Sequence, residues 1–175
     1  MTTSARPEVW LRGPVSGVPP ALQPVAHALL GVREELESLL PGLTTTQLAA
    51  RPGGAGSIGF HVRHLLGAVD RLFTYAAGGQ LSPAQQAALR EEREAPLPGD
   101  DAASLVALAA RELDRAIEVL RATAAESLLE PREVGRARLP STVGGLLFHA
   151  AEHSTRHLGQ IVTTARVVRA AAPDA

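Results

Sequence analysis

Five of the six histidines fall in two short stretches, and that grouping is the first chemistry the sequence offers. His149, His153 and His157 recur at steps of four. Residues four apart stand one turn apart on the same helical face. Two imidazoles so placed can both reach one divalent ion at about 2.0–2.1 Å. His61 and His64 form the second group. At 100° per residue, with the later helix centred on Leu147, Ser154, Leu158, Ile161 and Ala165, His157 lies about 80° from the centre, His153 about 120° and His149 about 160°. The later pair therefore flanks the core, and His149 points furthest out. In the earlier helix His61 lies about 70° from the stripe centre and His64 about 130°. Periodicity favours His61 and leaves the third ligand open between the two.

Other motifs compete with this reading. His149-Ala-Ala-Glu152-His153 matches the inverted zinc-protease pattern, with Glu152 as general base. That site needs a further downstream acid, and only Asp174 follows Glu152. Gly54-Ala-Gly56-Ser-Ile-Gly59 fits G-x-G-x-x-G, but turn and short-helix material precedes it where a dinucleotide site needs a strand. Ala55 stands where a nucleophile elbow needs its first Gly. The acidic runs Glu34, Glu35, Glu37 and Glu91, Glu92, Glu94 read as solvated faces. A carboxylate-bridged di-metal bundle wants Glu three residues before a ligand His, and none stands there.

Composition narrows the rest. The chain has 175 residues, 45% of them hydrophobic, which suits one folded domain. Aromatics are 3%, so the core is built from aliphatic residues in closely packed helices. A net charge of −1 speaks against a nucleic-acid partner and provides no polybasic segment for a membrane surface. There is no Cys, which excludes disulfides, zinc–thiolate sites and a cysteine nucleophile. All 17 basic residues are Arg, so a P-loop lysine and a Schiff base are excluded too. No apolar run approaches the roughly 20 residues that span a bilayer, and residues 1–13 lack a signal-peptide core. The expectation is a soluble cytoplasmic protein.

Four long helices must position the histidines. The first spans 21–40, with Leu22, Val25, Leu29, Val32, Leu36 and Leu39 inward. The second, 57–77, is capped by Ser57 and ended by Gly78-Gly79. A short surface helix, 82–93, lies in the connection. The third spans 101–129, and the fourth 142–169, capped by Ser141 or Thr142. No useful stretch alternates with period two; the best strand candidate, 133–139, is short and charged. The expected fold is all-α: a four-helix bundle (21–169) in a single domain (1–175), with an extended N-terminal arm (1–20), a short extra helix between helices two and three, and a tail (170–175).

Ser57-Ile-Gly-Phe-His-Val-Arg-His64-Leu65 resembles the first signature of the DinB family, a capping Ser followed seven residues later by a metal-binding His. His149-Ala-Ala-Glu-His153-Ser-Thr-Arg-His157-Leu-Gly159-Gln160-Ile161 resembles the second, H-x-x-x-H-x-x-x-H-x-G-Q-I. The order and separation of the blocks match as well. The resemblance implies a four-helix bundle whose metal ligands are His64, His153 and His157. It places Gln160, His61 and His149 around the ligands or the substrate and names no catalytic base. Leu158 departs from the Arg that relatives often carry before Gly-Gln. The implied ion is divalent, Zn or Ni ahead of Fe or Cu. Family members include thiol S-transferases that use bacillithiol or mycothiol, and related isomerases. The expected function is therefore metal-dependent transfer of a low-molecular-weight thiol, as co-substrate, to a small molecule, by a homodimer. The alternatives are a non-catalytic, metal-stabilised bundle that binds a ligand or partner, and a metal-dependent hydrolase.

Overall fold

The computed structural model describes residues 6–171. Its bundle consists of α1 (Gln23–Leu39), α3 (Ile58–Ala76), α5 (Ala102–Ala122) and α6 (Val143–Ala170). Short helices α2 (Thr45–Ala49) and α4 (Pro83–Glu91), and a hairpin of β1 (Pro131–Val134) and β2 (Leu139–Thr142), occupy the connections. The helix starts follow local chemistry. Ser57 Oγ accepts from the Phe60 amide at 3.1 Å and Thr142 Oγ1 from that of Gly145 at 3.0 Å, each satisfying an orphan first-turn donor. Thr44, Ser82 and Asp101 form full capping boxes for α2, α4 and α5. The inward stripes meet in one core, where Leu29, Leu36, Leu65, Leu113, Leu120 and Ile161 are fully buried. Each contributes about 1.5–3 kcal/mol by leaving water.

Two expectations change. The third long helix stops at Ala122 instead of reaching 129. Thr123 turns extended and bonds its hydroxyl back to the Val119 carbonyl, and a 3-10 turn, Ala125–Leu129, follows. The last buried residue of the stripe is Leu120, so nothing beyond it holds a further turn against the core. The segment 133–139 is not one strand. Its ends belong to two four-residue strands, paired from Pro131↔Thr142 to Val134↔Leu139. The described part of the N-terminal arm lies on the bundle. Val9 and Val18 are buried, and Arg12 grips Glu34 through two bonds of 2.6 and 2.8 Å. The Gln23 amide clamps Val15 and Val18. Glu34, read as a solvated face, thus anchors the arm. Residues 1–5 and 172–175 of the expected arm and tail lie outside the described residues. Among the described residues no helix is long and apolar enough to cross a membrane.

The side-chain links between helices fix their directions. Arg33–Asp114 and Arg121–Ser16 make α1 and α5 antiparallel. Arg169 reaches the Leu39 carbonyl, so α1 and α6 run the same way. His61 meets His157 and His64 meets His153, so α3 runs against α6, and α3 and α5 are therefore parallel. Their connection must travel back along α3, a length of roughly 28 Å at 1.5 Å per residue. It does so as a strap of α4, a 3-10 turn (Glu92–Glu94) and the loop to Asp101. The strap is tied down along its whole path. Gln85 bonds Asp70 and Thr74, the Ala95 carbonyl accepts from Ser57 Oγ, and Asp100 pairs with Arg63 at 2.5 and 2.7 Å. At Gly59 the strap touches helix backbone: a Cβ there would sit 2.8 Å from Pro96 Cβ and 2.9 Å from its nitrogen.

Because a proline ring and its backbone cannot yield cheaply, Gly59→Ala is expected to destabilise the fold by about 1–3 kcal/mol. Gly31→Ala in α1 meets open space and is expected to stabilise by about 0.5–1 kcal/mol. Urea unfolding of the two variants side by side checks both signs.

Candidate metal centre

The strap and the antiparallel seam of α3 and α6 bring the histidines together. Two contacts cross the seam about one turn apart. His64 Nε2 lies 3.0 Å from His153 Nε2, and His61 Nδ1 lies 2.9 Å from His157 Nδ1. His64, His153 and His157 each offer one ring nitrogen, and these three atoms lie within 4.8 Å of one another. Two imidazole nitrogens at about 2.0–2.1 Å from one ion lie roughly 2.9–3.4 Å apart in tetrahedral or octahedral geometry. The His64–His153 separation has that value, and with the His157 nitrogen within 4.8 Å the three residues could hold a divalent ion.

His61 is buried and joins His157, yet it stands outside the three-nitrogen group. Periodicity therefore ranked the burial of the two α3 histidines correctly: His61 is more buried than His64. The converging position is the flank of the stripe, not its centre. His149 is exposed, with its ring 5.6 Å from that of His153. Gln160 is also exposed and has no side-chain hydrogen bond among the described residues. The protease pattern is not assembled. Glu152 pairs with Arg156 and lies 3.4 Å from His149; Asp174 lies outside the described residues. Gly54 ends a 3-10 turn that leads into α3, with no strand before it.

The residue that sequence reading missed is Glu92. Read as part of a solvated acidic run, it is in fact buried at 5% exposure. Its Oε1 accepts from His64 Nδ1 at 2.8 Å, and Arg71 donates to both its oxygens at 3.0 and 3.3 Å. A carboxylate can only accept, so Nδ1 of His64 carries the proton and Nε2 turns its lone pair toward His153 and His157. Gly67 makes room, because a Cβ there would lie 2.8 Å from Glu92 Oε2 and 2.7 Å from Arg71 Nη1. One sequence signal pointed here: Arg71 follows His64 by seven residues on one face of α3. An arginine on that seam needs an acid from another element.

The electrostatics favour neutral imidazoles beside an ionised acid. Burial, then the nearby His64, pushes both His153 and His157 down to about 4. Burial also lowers His61. Burial alone would raise Glu92, but the bonds from His64 and Arg71 outweigh it and hold the carboxyl below its usual range. A ligand imidazole must be unprotonated. Phe60 stacks on His64 with centroids 5.3 Å apart and limits its tilt. Beside His64 and His153, a cleft of about 260 Å³ opens between α3, α4 and α6.

A family model described as the DinB superfamily matches residues 28–161. No curated protein sequence matches the chain. The crystal structure of a conserved protein from Enterococcus faecalis is similar with a TM-score of 0.67 and 18% identity, over 85% of this chain and 97% of that one. YfiT from Bacillus subtilis is described as a probable metal-dependent hydrolase with an unusual four-helix bundle topology. It is similar with a TM-score of 0.62 and 17% identity, over 90% of this chain and 93% of its own. At such identities the two structures establish the fold alone.

The depressed histidines give a signed pH effect. An unfolded imidazole binds its proton near pH 6.5, whereas His153 and His157 resist until about 4. The unfolded state therefore takes up protons first, and the metal-free protein loses stability as pH falls from about 6.5 toward 4. Between about pH 6.5 and 5.5, above the ordinary carboxylate range, the loss comes from histidine. Denaturant titrations in chelator are expected to show a flatter profile in this window for His153→Asn and His157→Asn.

Proposed function

The chain belongs to the DinB superfamily, and from that premise we propose that it is a divalent-metal enzyme which joins a low-molecular-weight thiol to an electrophilic small molecule. The observation that carries the reading is the convergence of the His64, His153 and His157 nitrogens beside an open cleft. These three residues would hold the ion, with Zn or Ni the leading candidates and Fe or Cu next. When bound, such an ion lowers the pKa of a thiol or water and stabilises developing negative charge.

The chain's own residues prepare that site. Glu92 fixes the protonated nitrogen of His64, and Arg71 keeps Glu92 ionised. Burial keeps His153 and His157 neutral. The protein has no Cys, so the sulfur comes from solution. In the reaction R–SH + R′–X → R–S–R′ + HX, the C–S bond forms, the C–X bond breaks, and the thiol proton leaves with X. The residues lining the cleft include no carboxylate to serve as general base for water. A thiol needs less help, because its ordinary pKa is about 8.5. That difference supports the thiol-transfer reading over hydrolysis. Hydrolysis is the second reading, because a structural neighbour carries that description.

Elemental analysis of the purified protein is expected to give near-stoichiometric metal, lost in His153→Ala; equal content in both would refute the site. Glu92→Gln is expected to lower metal affinity by about 10- to 100-fold, read by competition with a chromogenic chelator. For the metal-loaded protein with an alkyl halide and bacillithiol or mycothiol, mass spectrometry is expected to show metal-dependent thioether. A hydrolysed electrophile in its place would select the hydrolase, and no product of either kind would leave a binding protein.

A further inference from the structure

The cleft beside the three histidines has a composition that specifies its ligand. Its apolar wall is Ala68 and Leu72 of α3 with Leu81, just before α4, and Leu89 of α4. Its polar members are His64, Arg71, Tyr75, His149 and His153. None of these is acidic, although the chain carries 18 acidic residues against 17 basic ones. Glu92 balances Arg71 but lies in the lining of a different pocket, behind α3 with Arg63 and Gly67. The guanidinium gives Glu92 two of its nitrogens. Among the described residues no buried side-chain nitrogen or oxygen lacks a partner. The remaining nitrogen, Nε, carries no side-chain hydrogen bond among the described residues, and Arg71 lines the cleft with its side chain 11% exposed. Across the cleft, His149 is half exposed and anchored only by its 3.4 Å approach to Glu152.

We propose that this cleft binds a compact organic acid, its carboxylate held between Arg71 and His149 beside the histidine cluster and its short apolar tail against Leu72, Leu81 and Leu89. The inference deepens the functional reading above and rests on it for the role of the bound acid. The volume of about 260 Å³ is below the roughly 300–1,000 Å³ of drug-sized sites, so the tail is short. A carboxylate here gains charge-assisted bonds that a neutral amide lacks. No step of the binding requires the metal, because the donors belong to the chain.

Calorimetric titration with hexanoate and hexanamide, on both metal-loaded and metal-free protein, tests the inference. Hexanoate is expected to bind about tenfold or more tightly than hexanamide. Leu72→Glu sets a carboxylate in the cleft wall that receives the tail, next to Arg71, and is expected to remove that preference with metal content unchanged. Leu89→Glu, on the neighbouring α4, serves the same purpose if Leu72→Glu does not fold. Equal binding of acid and amide, binding of neither, or a preference that survives a folded Glu variant would overturn the proposal. Should the protein bind no metal yet still prefer hexanoate in a Leu72-dependent way, the metal reading falls and the acid site stands.

Discussion

A carboxylate taken out of water must find compensation or take up a proton. Glu92 finds two partners, the guanidinium of Arg71 and the Nδ1–H of His64. The rest of the centre follows from that sharing. Arg71 keeps the acid charged, the charged acid fixes which nitrogen of His64 is protonated, and that choice aims the free lone pair at His153 and His157. Remove the arginine, and the acid would be a poor acceptor for histidine. Remove the acid, and both a buried cation and an imidazole tautomer would lose their reference. The three imidazoles attract notice, but their orientation is borrowed from a residue that is not among them.

The topology explains where that residue comes from. In an up-down bundle with short loops, neighbouring helices run antiparallel and connections stay at the ends. Here α3 and α5 are parallel, so the chain returns along the outside of α3. A connection of that length would ordinarily be a mobile surface loop. It is instead fixed at Asp70, Thr74, Arg71, His64, Ser57 and Arg63 in succession. The site is therefore assembled from three parts, two bundle helices and a strap whose existence is forced by helix direction.

How much of this could be read in the sequence depended on the range of the signal. Helix starts at Ser57, Thr142 and Asp101 were legible because capping is local. The apolar stripes were legible because their period is local too. The histidine clusters were legible as candidates, and the family pattern selected among them. Helix direction was not legible, since it follows from how stripes pair across the core. With it went Glu92, whose neighbours in sequence are exposed charges and whose neighbours in space lie 21 and 28 residues away. The arm's anchor, Glu34 to Arg12, was hidden by the same separation. The end of α5 was missed because the apolar pattern continues on paper to Leu129 while the last buried residue of the stripe is Leu120.

The strap is held differently from everything it touches. α4 has no buried residue, and between Glu92 and Ala95 only those two are buried. Its attachment is thus almost wholly polar, while the bundle beneath it rests on aliphatic packing. Local opening free energies track such differences, and segments with few buried apolar contacts open first. Opening of the strap with the four long helices still folded would return His64 to an unbiased imidazole. The tautomer of His64 thus depends on a polar fastening, and not on the durability of the core.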